Sequence, residues 1–150
     1  MKFENLLMEK AKEEGIEKLV VGGVIINNEK RCLILSRNAE DFMGGIDEIP
    51  SGKLEDSESL FEALVREVKE ESNLDVIQIV NYIDYFDYLS GSGKKSRQYN
   101  FVVKVDNFNN IKLTEHSEFK WQTIDEINAN NKITSKTLLT LNIAYFNVVK

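Results

Sequence analysis

The chain reads as an α/β sandwich built on a mixed β-sheet, and three features predict it. Strand-like and helix-like segments alternate along the whole length, an order that layers helices against a sheet. Residues 19–26, LVVGGVII, form a continuous β-branched run. Residues 57–72 form a strongly amphipathic helix, with Leu60, Leu64 and Val68 at intervals of four.

Taken in order, Phe3, Leu6, Leu7, Met8 and Ala11 recur at helical spacing among charges, and Gly15 supplies a stop. Residues 1–15 are therefore an N-terminal helical extension, which either covers the domain's own core or meets a second copy in a homodimer. The run at 19–26, the turn-forming Asn27-Asn28 pair and the apolar run at 31–36 predict a hairpin. Residues 38–50 carry Gly44, Gly45 and Pro50 and read as a loop entering a short extended segment at Glu48-Ile49-Pro50. The helix at 57–72 has Asp56 or Ser57 as its cap and Glu58 in its first turn. Residues 74–89 and 98–105 alternate around Gly91-Ser92-Gly93-Lys94, which predicts a second hairpin, and residues 124–129 and 134–149 after Trp121 read as helices. With 150 residues and no repeat or low-complexity linker, residues 1–150 make one domain.

Composition narrows the function. An apolar fraction of 42% against 29% charged residues is that of a folding chain and not of a disordered one. The net charge of −6 argues against a grip on a nucleic-acid polymer or an anionic membrane, so an anionic small-molecule ligand needs a bound cation. The one cysteine, Cys32, lies in an apolar run with no partner for a disulfide, which fits a reducing cytoplasm. The opening residues are too charged for a signal peptide, and no apolar run approaches the roughly 18 residues of a membrane span, so the expected location is cytoplasmic.

The chemistry concentrates on the helix at 57–72. Glu67, Glu70 and Glu71 stand at relative positions 0, +3 and +4, which puts three carboxylates on one face, bordering the apolar stripe. Their place in the last turns adds the negative end of the helix dipole to their mutual repulsion. Hard oxygen donors so arranged suit Mg²⁺ or Mn²⁺. A Glu-rich helix alone is more often a solvated face, and the surrounding spacing is what favours a metal. Gly52, Glu58, Arg66, Glu67, Val68, Glu70, Glu71 and Leu74 fall in the register of a longer pattern that resembles the Nudix box, at residues 52–74. Eight of its nine fixed positions match. The ninth, a glycine in the family, is Asn73 here, the residue that next best tolerates the left-handed conformation beyond a helix end.

The resemblance implies a Nudix-type α/β/α sandwich and a Mg²⁺- or Mn²⁺-dependent pyrophosphohydrolase. It implies that Glu67, Glu70 and Glu71 bind the metal, helped by the backbone carbonyl of Ser51. Gly52, Glu58 and Arg66 would then be structural, with Glu62 able to bridge Glu58 and Arg66 on the helix. In MutT-like relatives a further glutamate acts as general base shortly before a tryptophan, which points to Glu115, with Glu118 as its neighbour. His116, in the same 114–118 loop, is a candidate base or phosphate contact but reads more readily as a surface residue. Trp121, Tyr82, Tyr85, Phe86 and Tyr88 are candidates to stack on a nucleobase or to fill the core. Lys53, Arg37, Lys94, Lys95 and Arg97 are candidate phosphate contacts or solvated charges.

The substrate implied is a nucleoside triphosphate, oxidised or not, cut to a monophosphate and pyrophosphate. ADP-sugars, dinucleoside polyphosphates and a non-catalytic nucleotide sensor are the alternatives. The proline that marks ADP-ribose enzymes beyond the box is absent, Pro50 being the only proline. Isoprenoid diphosphate isomerase chemistry needs a placed cysteine and histidine ligands, which one Cys and one His do not supply.

Overall fold

A computed structural model describes residues 2–40 and 44–148. Residues 41–43 of the predicted loop and residue 149 of the predicted last helix lie outside the described residues. Among the described residues no helix is long and apolar enough to cross a membrane.

Helix α1 (Phe3–Glu13) precedes strands β1 (Lys18–Ile25), β2 (Cys32–Arg37), β3 (Asp47–Glu48) and β4 (Ser51–Lys53). Helix α2 (Leu60–Ser72) leads to the long strands β5 (Val76–Leu89) and β6 (Lys95–Val105), then β7 (His116–Gln122), α3 (Ile124–Ala129) and α4 (Ser135–Val148). Two sheets result. One is mixed, in the order β4-β1-β6-β5, with β1 and β6 parallel and the outer pairs antiparallel; the other is antiparallel, β3-β2-β7.

Strands β1 and β2 are buried along most of their length, so they read as apolar runs instead of alternating ones. Val21, Ile25, Leu33, Leu35, Tyr99 and Phe101 pack under α2 through Leu60, Leu64 and Val68. Val24, Cys32, Ile34 and Val102 face the other way, toward Ile127 of α3 and Leu141 and Ala144 of α4. Helices on both faces make the α/β/α sandwich that the order of elements predicts.

The β5–β6 hairpin forms as expected, beginning at Lys95 and not at residue 98. The first predicted hairpin does not. The chain does reverse there: the Asn27 side chain accepts from the backbone N–H groups of Glu29 and Arg31, and Lys30 takes a left-handed φ of 62°. A single bridge, Ile26 to Cys32, then joins the two arms before they part into different sheets. Both edges of β1 are taken by β4 and β6, and both edges of β2 by β3 and β7, so neither has a free edge for the other.

The amphipathic helix starts later than its pattern suggests. Ser59 is the cap of α2: its hydroxyl accepts from Glu62 N–H at 3.1 Å while the Glu62 carboxylate takes the Ser59 N–H at 2.9 Å. Ser57, at φ 69°, stands outside the helix. At the far end Asn73 adopts φ 68°, the left-handed exit that its amide chemistry permits.

Helix α1 covers its own domain. Ala11 is in the core, Glu4 accepts from Phe61 N–H at the start of α2, Tyr99 Oη donates to the Leu7 carbonyl at 2.7 Å, and Glu14 pairs with Arg97 at 2.8 Å. Two further strands were not legible from the sequence: β4, which follows the expected extended segment at Glu48-Ile49-Pro50, and β7, which runs antiparallel to β2 over residues expected to form a loop and its sequel.

Candidate active site

Three local features bring the box together. Strand β4 pairs with β1 and sets Gly52 opposite Val21. Helix α2 lies against this corner, and the Glu67 carboxyl group occupies the space that a Cβ on Gly52 would fill. Arg66 then gathers the acidic residues. Its guanidinium donates to Glu58 through two bonds of 2.7 and 2.8 Å, to Glu67 at 2.6 Å, to Glu70 at 3.2 Å and to the Lys53 carbonyl at 2.9 Å. The Arg66–Glu58 pair is direct. Glu58 is not in the first turn of the helix but before it, and Glu62 serves the cap instead of bridging the pair. Arg66 holds the Glu58 carboxyl well below the usual carboxylate range, at about 2.

The three box carboxylates differ in environment. Glu70 is exposed and Glu67 half-buried, and burial raises the pKa of Glu67 against the pull of Arg66. Glu71 accepts from the Ser51 backbone N–H at 2.6 Å. Burial pushes its carboxyl up to about 8, and the neighbouring charges of Glu48, Glu67 and Glu115 push the same way. Among the described residues no three His, Cys, Asp or Glu side chains converge as a ready ion cage. Arg66 stands between Glu67 and Glu70, and Glu71 is turned onto Ser51. The donor set nonetheless fits a hard cation: a half-buried acid surrounded by carboxylates lacks positive charge, and oxygen donors are what Mg²⁺ and Mn²⁺ take.

This predicts a pH dependence. Because the folded pKa of Glu71 lies above the ordinary 4.5, the stability that its protonation contributes is fully present below about pH 4.5 and is lost as pH rises through about 8. The melting temperature of the metal-free protein therefore falls across that window relative to Glu71→Gln, which retains an acceptor for Ser51. Parallel melting curves for the two proteins would refute the assignment.

A cavity of about 460 Å³ opens beside the box. Ser51, Gly52, Glu48 and Arg37 line its end nearest the carboxylates, and Phe86 and Tyr88 line its aromatic part. Of the predicted stacking residues, only these two reach it. Trp121 packs edge-on to Phe108, Tyr82 on Phe101, and Tyr85 lies under the Arg97 guanidinium. Among the predicted phosphate contacts, Arg37 and Lys53 line the cavity, but Arg97 does not. It is buried and bound to Asp87 at 2.7 Å and to Glu14, fixing α1 to the sheet. Lys94 lies in the exposed turn between β5 and β6, and Lys95 is the exposed first residue of β6.

Glu115 is exposed, its carbonyl accepting from the Asn38 amide at 2.8 Å, and its charge bears on Glu71. Glu118 lies on β7 opposite Ser36 and pairs loosely with Lys120. His116 is not a surface residue: it is the first residue of β7, 8% exposed, and its Nε2 meets Glu48 Oε2 at 2.8 Å. The sequence reading missed both the burial of His116 and the presence of Glu48, since neither belongs to the box spacing. Cys32 is fully buried and its thiol is pushed up to about 12, which removes the cysteine that isomerase chemistry would require.

A family model described as NUDIX domain matches residues 17–141. The chain belongs to the Nudix family. An 8-oxo-dGTP diphosphatase from Proteus vulgaris is 42% identical over 59 residues, 39% of this chain and 53% of that protein. The match thus spans about half the length of that curated relative. Among solved structures, a MutT protein from Methanosarcina mazei Go1 superposes with a TM-score of 0.76 at 23% identity, covering 91% of this chain and 98% of the other. An Ap4A hydrolase of C. elegans, solved as a binary complex, gives 0.71 at 20% identity, covering 89% and 97%. At these identities the Nudix likeness of the structures is one of fold.

Proposed function

We propose that this Nudix chain hydrolyses a diphosphate linkage in a nucleoside diphosphate derivative, foremost a nucleoside triphosphate, oxidised or not, to a monophosphate and pyrophosphate. The observation that carries the reading is the adjacency of the box carboxylates to a cavity with an aromatic wall. Ser51 and Gly52, which touch Glu71 and Glu67, line the same recess as Phe86 and Tyr88.

Glu67, Glu70 and Glu71, with the Ser51 carbonyl, are the residues that would hold Mg²⁺ or Mn²⁺. When bound, such an ion supplies positive charge against the diphosphate oxygens and makes water easier to deprotonate. The chain's own groups do the rest. Phe86 and Tyr88 line the cavity and offer aromatic surface to a planar base, and Arg37 and Lys53 line it and offer cationic groups to phosphate oxygens. Arg66 keeps β4, Glu58 and the box helix in one arrangement. Glu115 accepts the proton of the attacking water.

The similarity to an 8-oxo-dGTP diphosphatase favours a purine triphosphate, and the fold likeness to an Ap4A hydrolase keeps dinucleoside polyphosphates on the test panel. Phosphate and pyrophosphate release is measured from nucleoside triphosphates, 8-oxo-purine nucleotides, ADP-sugars and dinucleoside polyphosphates, with Mg²⁺, Mn²⁺ or chelator. Chelator-sensitive turnover of the triphosphates is the expected outcome. Tight nucleotide binding with no turnover of any compound would replace the hydrolase with a sensor.

A further inference from the structure

His116 sits where an apolar side chain would pack at less cost. It is more than nine-tenths buried, and its Nδ1 has no hydrogen-bond partner among the described residues. Its other nitrogen accounts for its presence. Nε2 lies 2.8 Å from Glu48 Oε2, the same oxygen that accepts from Arg37 Nε at 2.9 Å. A carboxylate only accepts, so a neutral His116 carries its hydrogen on Nε2 and leaves Nδ1 bare.

The position of this pair matters more than its strength. Glu48 is on β3, lines the cavity and bears electrostatically on Glu71. His116 directly follows Glu115. The same short segment has further ties: Thr114 Oγ1 donates to the Glu70 carbonyl at 3.1 Å, the Asn38 amide donates to the Glu115 carbonyl at 2.8 Å, and His116 stands opposite Arg37 in the β2–β7 ladder. Residues 114–116 are thus fastened to the end of the box helix, to the exit of β2 and, through His116, to β3. The first two bonds lie in exposed surroundings, whereas the His116–Glu48 bond is part-buried.

We propose that His116 is a positioning residue: by binding Glu48 it fixes both the Glu48 carboxylate and the Glu115 segment against the box. The catalytic consequence rests on the reading of Glu115 as base. A loosened segment lowers the fraction of complexes with Glu115 in place, so turnover falls while ground-state binding in the cavity is retained.

Since His116 is the only histidine, its imidazole nitrogens are observed without ambiguity in a side-chain ¹⁵N NMR spectrum of the full, metal-free chain. The Nε2–H tautomer is expected, with loss of that preference in Glu48→Gln. Amide exchange at residues 115 and 116 rises at least about tenfold in His116→Ala. In the assay, His116→Ala lowers kcat by about tenfold or more with KM changed by less than about threefold. His116→Gln, whose amide nitrogen reaches the Nε2 position, restores most of kcat; His116→Asn, which reaches only the Nδ1 position, does not. An Nδ1–H tautomer, or unchanged amide exchange in His116→Ala, overturns the positioning role. So does equal behaviour of the Gln and Asn variants, or a His116→Ala enzyme of full kcat beside an inactive Glu70→Gln. An inert wild type would instead sink the hydrolase reading and with it the effect on turnover, and the tautomer and exchange data would still decide whether His116 holds the segment.

Discussion

Glu70→Gln lowers kcat by at least about two orders of magnitude while the fold survives. The two effects separate because of where Glu70 stands. Its side chain is 56% exposed, and its ion pair to Arg66 at 3.2 Å is an i, i+4 contact at the surface. Such a pair contributes at most about 1 kcal/mol, and Arg66 keeps Glu58 and Glu67 when it is lost. Removing one carboxylate also relieves repulsion within the cluster, so the melting temperature of the metal-free variant stays close to that of the wild type. What is lost is a negative oxygen donor that an amide oxygen replaces poorly. Steady-state kinetics across a magnesium titration, with thermal melts in chelator, check both halves. Full turnover in a folded Glu70→Gln protein would remove Glu70 from the site.

Gly52→Ala is the second large effect, and it acts through geometry instead of charge. The added methyl would stand inside the Glu67 carboxyl group, so either α2 moves off β4 or Glu67 leaves its rotamer. Overpacking of this kind costs about 1–3 kcal/mol, which for a domain of this size is roughly 2–12 °C in melting temperature. A displaced Glu67 is expected to lower turnover by about 10²-fold. The double variant Gly52→Ala with Glu67→Ala tests the cause, because removing the obstructed side chain restores stability but not activity. If the double variant is no more stable than Gly52→Ala, the obstruction is not with Glu67.

Much of this was legible in the linear sequence because it depends on short-range order. The spacing of Glu67, Glu70 and Glu71 determines that they share a helix face, whatever packs around it. Asn73 ends α2 through its own backbone preference, and the β5–β6 hairpin is set by local alternation about a Gly-rich turn. The cap went to Ser59 and not to Ser57 because only Ser59 has Glu62 three residues on to complete the capping box.

Other features depend on which elements meet, and no local pattern carries that information. Whether β1 and β2 pair is decided by competition for strand edges, which β4, β6, β3 and β7 win. The polar residues of β7 read as a loop because their strand character comes from pairing with the buried β2. Arg97 looked like a free cation and is a buried clasp, since Asp87 and Glu14 reach it from distant parts of the chain. The sequence by itself determined the family, the acidic face and the helix that bears it, since all three are periodic. Tertiary structure alone decided that His116 meets Glu48 at the cavity beside the box and that Phe86 and Tyr88, not Trp121, line that cavity, because a side chain's chemistry depends on neighbours that its own segment does not supply.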